Sequence, residues 1–263
     1  MDMQHDFVAM PVPVHPDRPT PKFRPLLALK HFRALIKDKE NTEHVFHIFE
    51  ALPRKSFRDD ARAFGESEQG RAVFVQERYL PDLLDDHERL RAMPKGSVAH
   101  AYCDFMEREG LSAAGLVAEA MKFNADRHDD MIEWYGARNR DTHDLLHVLT
   151  GYGRDPLGEQ CVLAFTYGQD PSLGHLFIGY AGGLNVKHTT KTRAPILRAI
   201  TEAKRLGKAC PRISEESITD LLAQPLEDVR KRFNIGEPRL YREAHRILRE
   251  EGHDPHGVME KAA

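Results

Sequence analysis

His143-Asp144-Leu145-Leu146-His147-Val148-Leu149-Thr150-Gly151-Tyr152-Gly153-Arg154-Asp155-Pro156-Leu157-Gly158-Glu159 is the stretch that decides how this chain folds. Its first half predicts a helix that closes near Gly151 or Gly153, either of which tolerates a left-handed closing residue. Asp155 followed by Pro156 has the pattern of an N-cap with proline at the first helical position, so a second helix starts almost at once. On the first helix His143 and His147 share a face, with Asp144 about 100° round from His143 and about 60° from His147. His147 stands about one turn before the connection and Glu159 about one turn after it. An antiparallel hairpin would bring Glu159 to the height of His147.

Two imidazoles and two carboxylates that converge in this way could hold one divalent metal. Mixed nitrogen and oxygen donors suit zinc, iron or manganese, and the lack of thiolates sets the group apart from a Cys-type structural zinc. A lone His-x-x-x-His on a helix is more often a surface coincidence, with Asp144 a solvated residue between. The returning Glu159 shifts that balance toward a metal.

Outward from the motif the chain reads as all-α, a single multi-helix domain with the antiparallel helix hairpin carrying the metal site. Residues 26–52 carry Leu26, Leu29, Phe32, Leu35 and Ile36, then Val45, Phe46, Ile48, Phe49 and Leu52, at helical steps that stop at Pro53. Further helices are predicted over 67–78 and 80–93. Ser97 can cap a helix that Gly110 ends. Residues 112–123 are small and apolar, which suits close packing against a neighbour. Glu237 onward predicts one amphipathic helix with Tyr241, Ala244 and Leu248 inward, then a frayed end. No alternating strand pattern stands out.

Composition narrows the class. The 263 residues are 41% hydrophobic and 30% charged, as in a helix-rich globular protein, and a net charge of −3 gives no general reason to expect nucleic acid. Cys103, Cys161 and Cys210 are far apart and in no metal-ligand spacing, so buried free thiols in a reducing compartment are expected. Residues 1–25, with six prolines between 10 and 25, predict an extended or disordered leader without a secretory signal.

A membrane contact is expected farther along. No run of about 18 strongly apolar residues exists to span a bilayer. From Leu184 to Cys210 the chain carries Lys187, Lys191, Arg193, Arg198, Lys204, Arg205 and Lys208 against the single acid Glu202. Ile196, Leu197 and Ile200 fall at helical spacings within it, so a basic amphipathic helix could lie on an anionic membrane. The preceding Leu176, Phe177 and Tyr180, among four glycines, could line a groove for a lipid tail. Both segments read equally well as core helices with a solvated face. His128 beside Asp129 and Asp130 suggests a second site only weakly; Asp126, Asp129 and Asp130 suit turns and caps. His175 and His188 have no local partner, and His245, His253 and His256 are expected to face water.

The flanks of the motif carry a resemblance. His143, Asp144 and His147, then eleven residues and Glu159, preceded by Pro94-Lys95-Gly96-Ser97, Tyr102, Phe105-Met106, Arg138 and Arg140, and followed by Pro225-Leu226 and Arg230 through Ile235, resemble the fourth protein of coenzyme Q (ubiquinone) biosynthesis, the COQ-four family. The resemblance covers about residues 26–235, leaving 236–263 as a C-terminal helix and tail. Asn139, Leu145, Leu146 and Leu163 depart from the family pattern, which alters the pocket around the ligands and leaves the ligand set intact.

The resemblance implies an all-helical fold and a metal centre of His143, Asp144, His147 and Glu159, zinc by family and iron or manganese as alternatives. It implies a polyprenylated quinone precursor as substrate, other quinone-biosynthesis enzymes as partners, and oxidative decarboxylation at the first ring carbon, a hydroxyl replacing the carboxylate. A non-catalytic organiser of that enzyme set and an unrelated metal hydrolase are the other readings, and a homodimer is left open. The expected location is the cytoplasmic face of the inner membrane of a bacterium, as a peripheral protein.

Overall fold

The computed structural model describes residues 9–38, 43–123 and 127–256. Among the described residues every regular element is helical, and the one β-type contact is an isolated bridge between Ser97 and Pro225. The helices are α1 (Pro25–Lys37), α2 (Glu43–Ala51), α3 (Phe57–Glu66), α4 (Glu68–Gln76), α5 (Leu80–Leu84), α6 (His87–Arg91), α7 (Val98–Glu109) and α8 (Ala113–Phe123). They continue with α9 (Met131–Asp141), α10 (His143–Thr150), α11 (Pro156–Gln169), α12 (Leu173–Thr190) and α13 (Ile196–Ala209). After a 3-10 turn at Ile213–Glu215 come α14 (Ile218–Leu222), α15 (Leu226–Arg232) and α16 (Arg239–Glu250).

Boundaries fall where cap chemistry puts them. Ser97 accepts the His100 N–H at the start of α7, and Gly110 ends that helix at φ +67°. Asp130 caps α9 by accepting the Glu133 N–H at 2.9 Å, while Asp126 lies outside the described residues. The expected helix over 80–93 is two short ones, because Asp86 caps α6 and Asp85 turns away to accept the N–H groups of Ala113 and Ala114 at 2.7 and 2.8 Å. Asp85 thereby starts α8. That helix is not closely packed as its composition suggested: only Ala113 of it is fully buried.

The core gathers around α11. This helix lies against α12 and α13, and glycines set how near they come. A Cβ on Gly207 would stand 2.0 Å from the Phe165 carbonyl oxygen, and one on Gly168 would stand 2.4 Å from that of Lys204. The main cluster joins α5–α7, α10, α11, α13, α15 and α16; a second joins α1, α2 and α12 through Phe32, Ile48 and Ile178, and a third joins α3, α4 and α9. Residues 9–24 form no helix, but they are held in place. Val12 accepts the Met131 N–H, and Arg18 makes a two-point bond to Asp130 at 2.6 and 2.7 Å.

The basic stretch after Leu184 is not one amphipathic helix. Lys187 lies in the last turn of α12, Lys191 closes that helix in a left-handed conformation at φ +52°, and α13 begins only at Ile196. Ile196 and Ile200 are 1% and 0% exposed and belong to the main core. The apolar stripe of α13 is therefore occupied by the protein's own core. Arg193 is engaged by Glu251 at 3.0 Å, leaving Lys187 and Lys191 on the surface. In α12, Leu176, Phe177 and Tyr180 are half-buried, with the Tyr180 hydroxyl 2.9 Å from that of Thr201; Leu197 is also half-buried. The predicted C-terminal helix is α16, with Tyr241, Ala244 and Leu248 buried, and residues 257–263 lie outside the described residues.

Candidate metal centre

Every residue of α10 except His143 is buried. Leu145, Leu146, Val148 and Leu149 enter the main core beside Phe105 and Met106 of α7, and the His147 ring stacks on Phe105 with centroids 5.4 Å apart. The helix is held at both ends. The Thr142 hydroxyl donates to the Arg138 carbonyl at 3.0 Å, and Arg138 pairs with Glu77 at 2.7 Å in the interior. At the other end Gly151, at φ +74°, donates its N–H to the His147 carbonyl, and Arg230 of α15 donates to the Leu149 and Val148 carbonyls at 2.9 and 3.0 Å. A cation here satisfies carbonyls that the helix leaves unpaired.

The start of α11 is fixed as firmly. Asp155 accepts the Leu157 and Gly158 N–H groups at 3.2 and 3.1 Å, as its sequence position predicted. The Tyr241 hydroxyl donates to the other Asp155 oxygen and itself accepts the Gly153 N–H at 3.0 Å, and His245 Nε2 lies 2.9 Å from Asp155 Oδ1. Burial opposes ionisation of Asp155, but the bond to His245, the His245 charge and the Tyr241 hydroxyl outweigh it and hold this carboxyl below its ordinary range. His245 is only 7% exposed, which corrects the expectation that it faces water. Gly158 is needed for the close turn, since a Cβ there would lie 2.0 Å from the Gly153 carbonyl oxygen.

With both helices pinned, three of the expected ligands gather, and Glu159 comes up to the two imidazoles among them. His143, Asp144 and His147 each offer one donor atom, and these atoms lie within 4.8 Å of one another. Glu159 Oε2 lies 3.5 Å from His143 Nε2 and 3.5 Å from His147 Nε2. Arg154 Nε stands 3.6 Å from the second Glu159 oxygen. The return of Glu159 does not come from two helices packed along their length. α10 packs chiefly on α7, and α11 on α12 and α13, with α10 and α11 less engaged with each other, so a packed antiparallel hairpin is not confirmed by the fold.

The protonation pattern fits a cation. His147 Nδ1 lies 3.1 Å from the Tyr152 carbonyl oxygen, so that nitrogen carries a proton. His147 Nε2 is buried with no hydrogen-bond partner, and faces a carboxylate oxygen. A lone pair opposite an anion at that distance calls for a positive charge between them, either a proton or a metal ion. Burial opposes ionisation of Glu159, but the charge of His147 and the bond from His143 hold its carboxyl well below the usual range. Burial likewise opposes the charged form of His143, yet Glu159 and then Asp144 raise its pKa. Two carboxylates and two imidazoles make a donor set suited to a divalent ion.

Two further side chains belong to this neighbourhood: His175, which local sequence left without a partner, and Tyr102, which entered only among the flanks of the resemblance. His175, on α12, packs against Phe49 at 4.5 Å; burial, with the charges of His143 and Arg54, pushes its pKa down to about 3, and its Nδ1 is buried without a partner. Tyr102, on α7, is fully buried with an unpaired hydroxyl, pushed up by burial and then by the charge of Asp144. Where the chain departs from the family pattern, Asn139 Nδ2 is buried and unpaired, and Leu163 packs into the α1–α2–α12 cluster.

The flanking stretches of the resemblance also meet. The Leu226 N–H donates to the Gly96 carbonyl at 3.1 Å and the Val98 N–H to that of Gln224 at 2.9 Å, so Pro94–Ser97 and Pro225–Leu226 are paired beside the α7 and α15 helices that brace α10.

Comparison with known proteins agrees. The chain is 24% identical over 164 residues to "Ubiquinone biosynthesis protein coq4, mitochondrial" of Aspergillus fumigatus, covering 62% of this chain and 54% of that protein. The protein of the same name from Neosartorya fischeri matches at the same 24% over 164 residues. The chain thus spans about half the length of these curated relatives. Their names place those fungal proteins in mitochondria, which conflicts with the expected bacterial source. Among the described residues no helix is long and apolar enough to cross a membrane. A crystal structure from Nostoc punctiforme, provisionally described as a ubiquinone biosynthesis protein, shares the fold with a TM-score of 0.58 at 20% identity, covering 82% of this chain and 100% of that one. The profile described as "Coenzyme Q (ubiquinone) biosynthesis protein Coq4" matches residues 24–239, so the chain belongs to the Coq4 family of ubiquinone biosynthesis proteins.

Proposed function

We propose that this chain is a metal-dependent oxidative decarboxylase that acts on a polyprenylated 4-hydroxybenzoate in ubiquinone biosynthesis. The observation that supports it is the meeting of Glu159 Oε2 with two imidazole nitrogens, one of them buried and unpartnered. His143, Asp144, His147 and Glu159 would hold one divalent ion. When bound, the ion supplies a Lewis-acid position that can orient the substrate carboxylate and offset charge developing on the ring.

The chain's own groups do the remaining work. The Tyr152 carbonyl fixes the His147 tautomer, Phe105 shields that imidazole from water, and Arg154 stands beside the outer oxygen of Glu159. His175, held neutral by burial, offers an unpartnered buried Nδ1 to a polar group of the substrate. The net change releases the ring carboxylate as carbon dioxide and installs a hydroxyl in its place. Starting from the carboxylate, its balance requires dioxygen, two electrons and three protons, with water as the second product. A prenylating enzyme upstream and ring-modifying enzymes downstream are the expected partners.

The test begins with protein purified without oxygen or chelators. Wild type is expected to retain one equivalent of a divalent ion and, given dioxygen, a reductant and the carboxylated precursor, to release carbon dioxide and the hydroxylated ring. Glu159→Ala should lose the ion and accumulate precursor in cells while partner enzymes still co-purify. If metal-replete wild type never converts the precursor, and Glu159→Ala instead disperses the partner enzymes, the chain is an organiser and this proposal fails.

A further inference from the structure

The segment expected to touch a membrane has its apolar stripe in the core, but another helix carries an apolar face on the outside. On α1, Ala28 and Phe32 are 1% and 8% exposed and face α2 and α12, whereas Leu26 and Leu29 on the other side are 82% and 36% exposed. Phe23, just before the helix, is 61% exposed. The helix is apolar on two sides and only one of them is packed. Other exposed apolar side chains, such as Val75 and Met121, lie on other helices, whereas Leu26 and Leu29 share an outer stripe of α1 with Phe23 just before it in the chain.

Charge accompanies that stripe. Residues 25–37 contain no acid, and Lys22, Lys30, Arg33 and Lys37 are exposed without an ion-pair partner among the described residues. Arg24 is engaged by Glu50, and the nearest acid in sequence, Asp38, lies beyond the end of the helix. Leu26, Leu29, Lys30, Arg33, Ala34 and Lys37 line a shallow groove of about 380 Å³ along the outer face. This concentration of cations stands on a chain whose net charge is −3.

We infer that the outer face of α1 is the surface by which this protein sits on an anionic phospholipid bilayer. The charge pattern selects the occupant. The buried centre of a protein interface is depleted in lysine and carries few charges, whereas here every exposed turn has a cation beside an apolar side chain. In a bilayer Phe23, Leu26 and Leu29 enter the acyl boundary, while the lysine and arginine stems bend back to the lipid phosphates. The inference is independent of the metal centre, since no residue of that centre lies on α1.

Vesicle flotation of the full chain tests it, using phosphatidylcholine vesicles with and without roughly a third phosphatidylglycerol, in low and high salt. The protein should float only with the anionic vesicles and be released by salt. Each cation contributes about a five-fold gain in partitioning, so the triple variant Lys30→Glu, Arg33→Glu, Lys37→Glu should lose on the order of a hundred-fold or more. Leu26→Glu with Leu29→Glu should also detach it. Lys187→Glu with Lys191→Glu should float like wild type, and all variants should keep the wild-type melting temperature because the changed residues are exposed. Failure of wild type to bind anionic vesicles overturns the inference. So does loss of binding in the Lys187 and Lys191 variant with α1 variants unaffected. A wild-type dimer that the Leu26 and Leu29 variant splits without any change in flotation assigns the face to a second copy and also overturns it.

Discussion

Residues 143–159 and 184–210 both look functional in sequence, and the fold treats them in opposite ways. In the first, Glu159 stands 3.5 Å from both imidazoles, although α10 and α11 do not form the packed hairpin that the spacing suggested. The second is divided between α12 and α13, and its apolar stripe, with Ile196 and Ile200, is absorbed by the core. The difference lies in the kind of signal. His-x-x-x-His and a capped short connection fix relative positions through local backbone geometry, which tertiary packing has little freedom to change. Amphipathicity states only that a helix has two faces. What covers the apolar one depends on the rest of the chain.

Substitutions can break or sharpen that contrast. The largest effect is expected at the ligands: His147→Ala should reduce metal retained after dialysis to background by elemental analysis, and Lys187→Ala should leave it unchanged. Retention by His147→Ala would remove the metal reading of the first segment. Next, Ile200→Ala should cost about 2–5 kcal/mol in urea unfolding, the penalty for emptying a core site. A cost near zero would return the α13 stripe to the surface.

A smaller effect with a pH signature is expected at Asp155, which holds the first segment together. Its pKa is lower folded than unfolded, so its contribution is complete above the unfolded value of about 3.9 and is lost as pH falls through the folded value. Asp155→Asn should therefore be less stable than wild type by about 1–3 kcal/mol at neutral pH, with the gap closing in acid. A gap that widened in acid would contradict the assignment. The smallest effect belongs to the second segment: Lys187→Ala should shift the unfolding free energy by no more than about 0.5 kcal/mol.

Much of the fold was legible because its boundaries rest on local chemistry. Ser97, Gly110, Gly151 and Asp155-Pro156 each cap or close the helix assigned to them, and the three cysteines are buried and free. The break at Asp85-Asp86 was missed because Asp85 is taken by the N–H groups of a helix far along the chain. The ligands of the candidate site were legible for the same reason as the caps. Its supports were not: Arg230, Tyr241 and His245 act on α10 and α11 across long separations, and His175 arrives on a helix read as a core element or a lipid-tail groove, with no local partner for the imidazole. The two-sided nature of α1 was written in Leu26 and Leu29, but choosing the buried side required Phe177 to meet Phe32.

The clasp on Asp155 also has a consequence for the order in which the protein is made. A nascent chain presents His143 through Glu159 well before Tyr241 and His245 leave the ribosome. Until α16 docks, the turn that aims Glu159 has its cap but not the two side chains that hold the cap in place. The turn that aims Glu159 is therefore braced only after a helix made well after it has docked, so the local cap and its long-range clasp form at separate stages of synthesis.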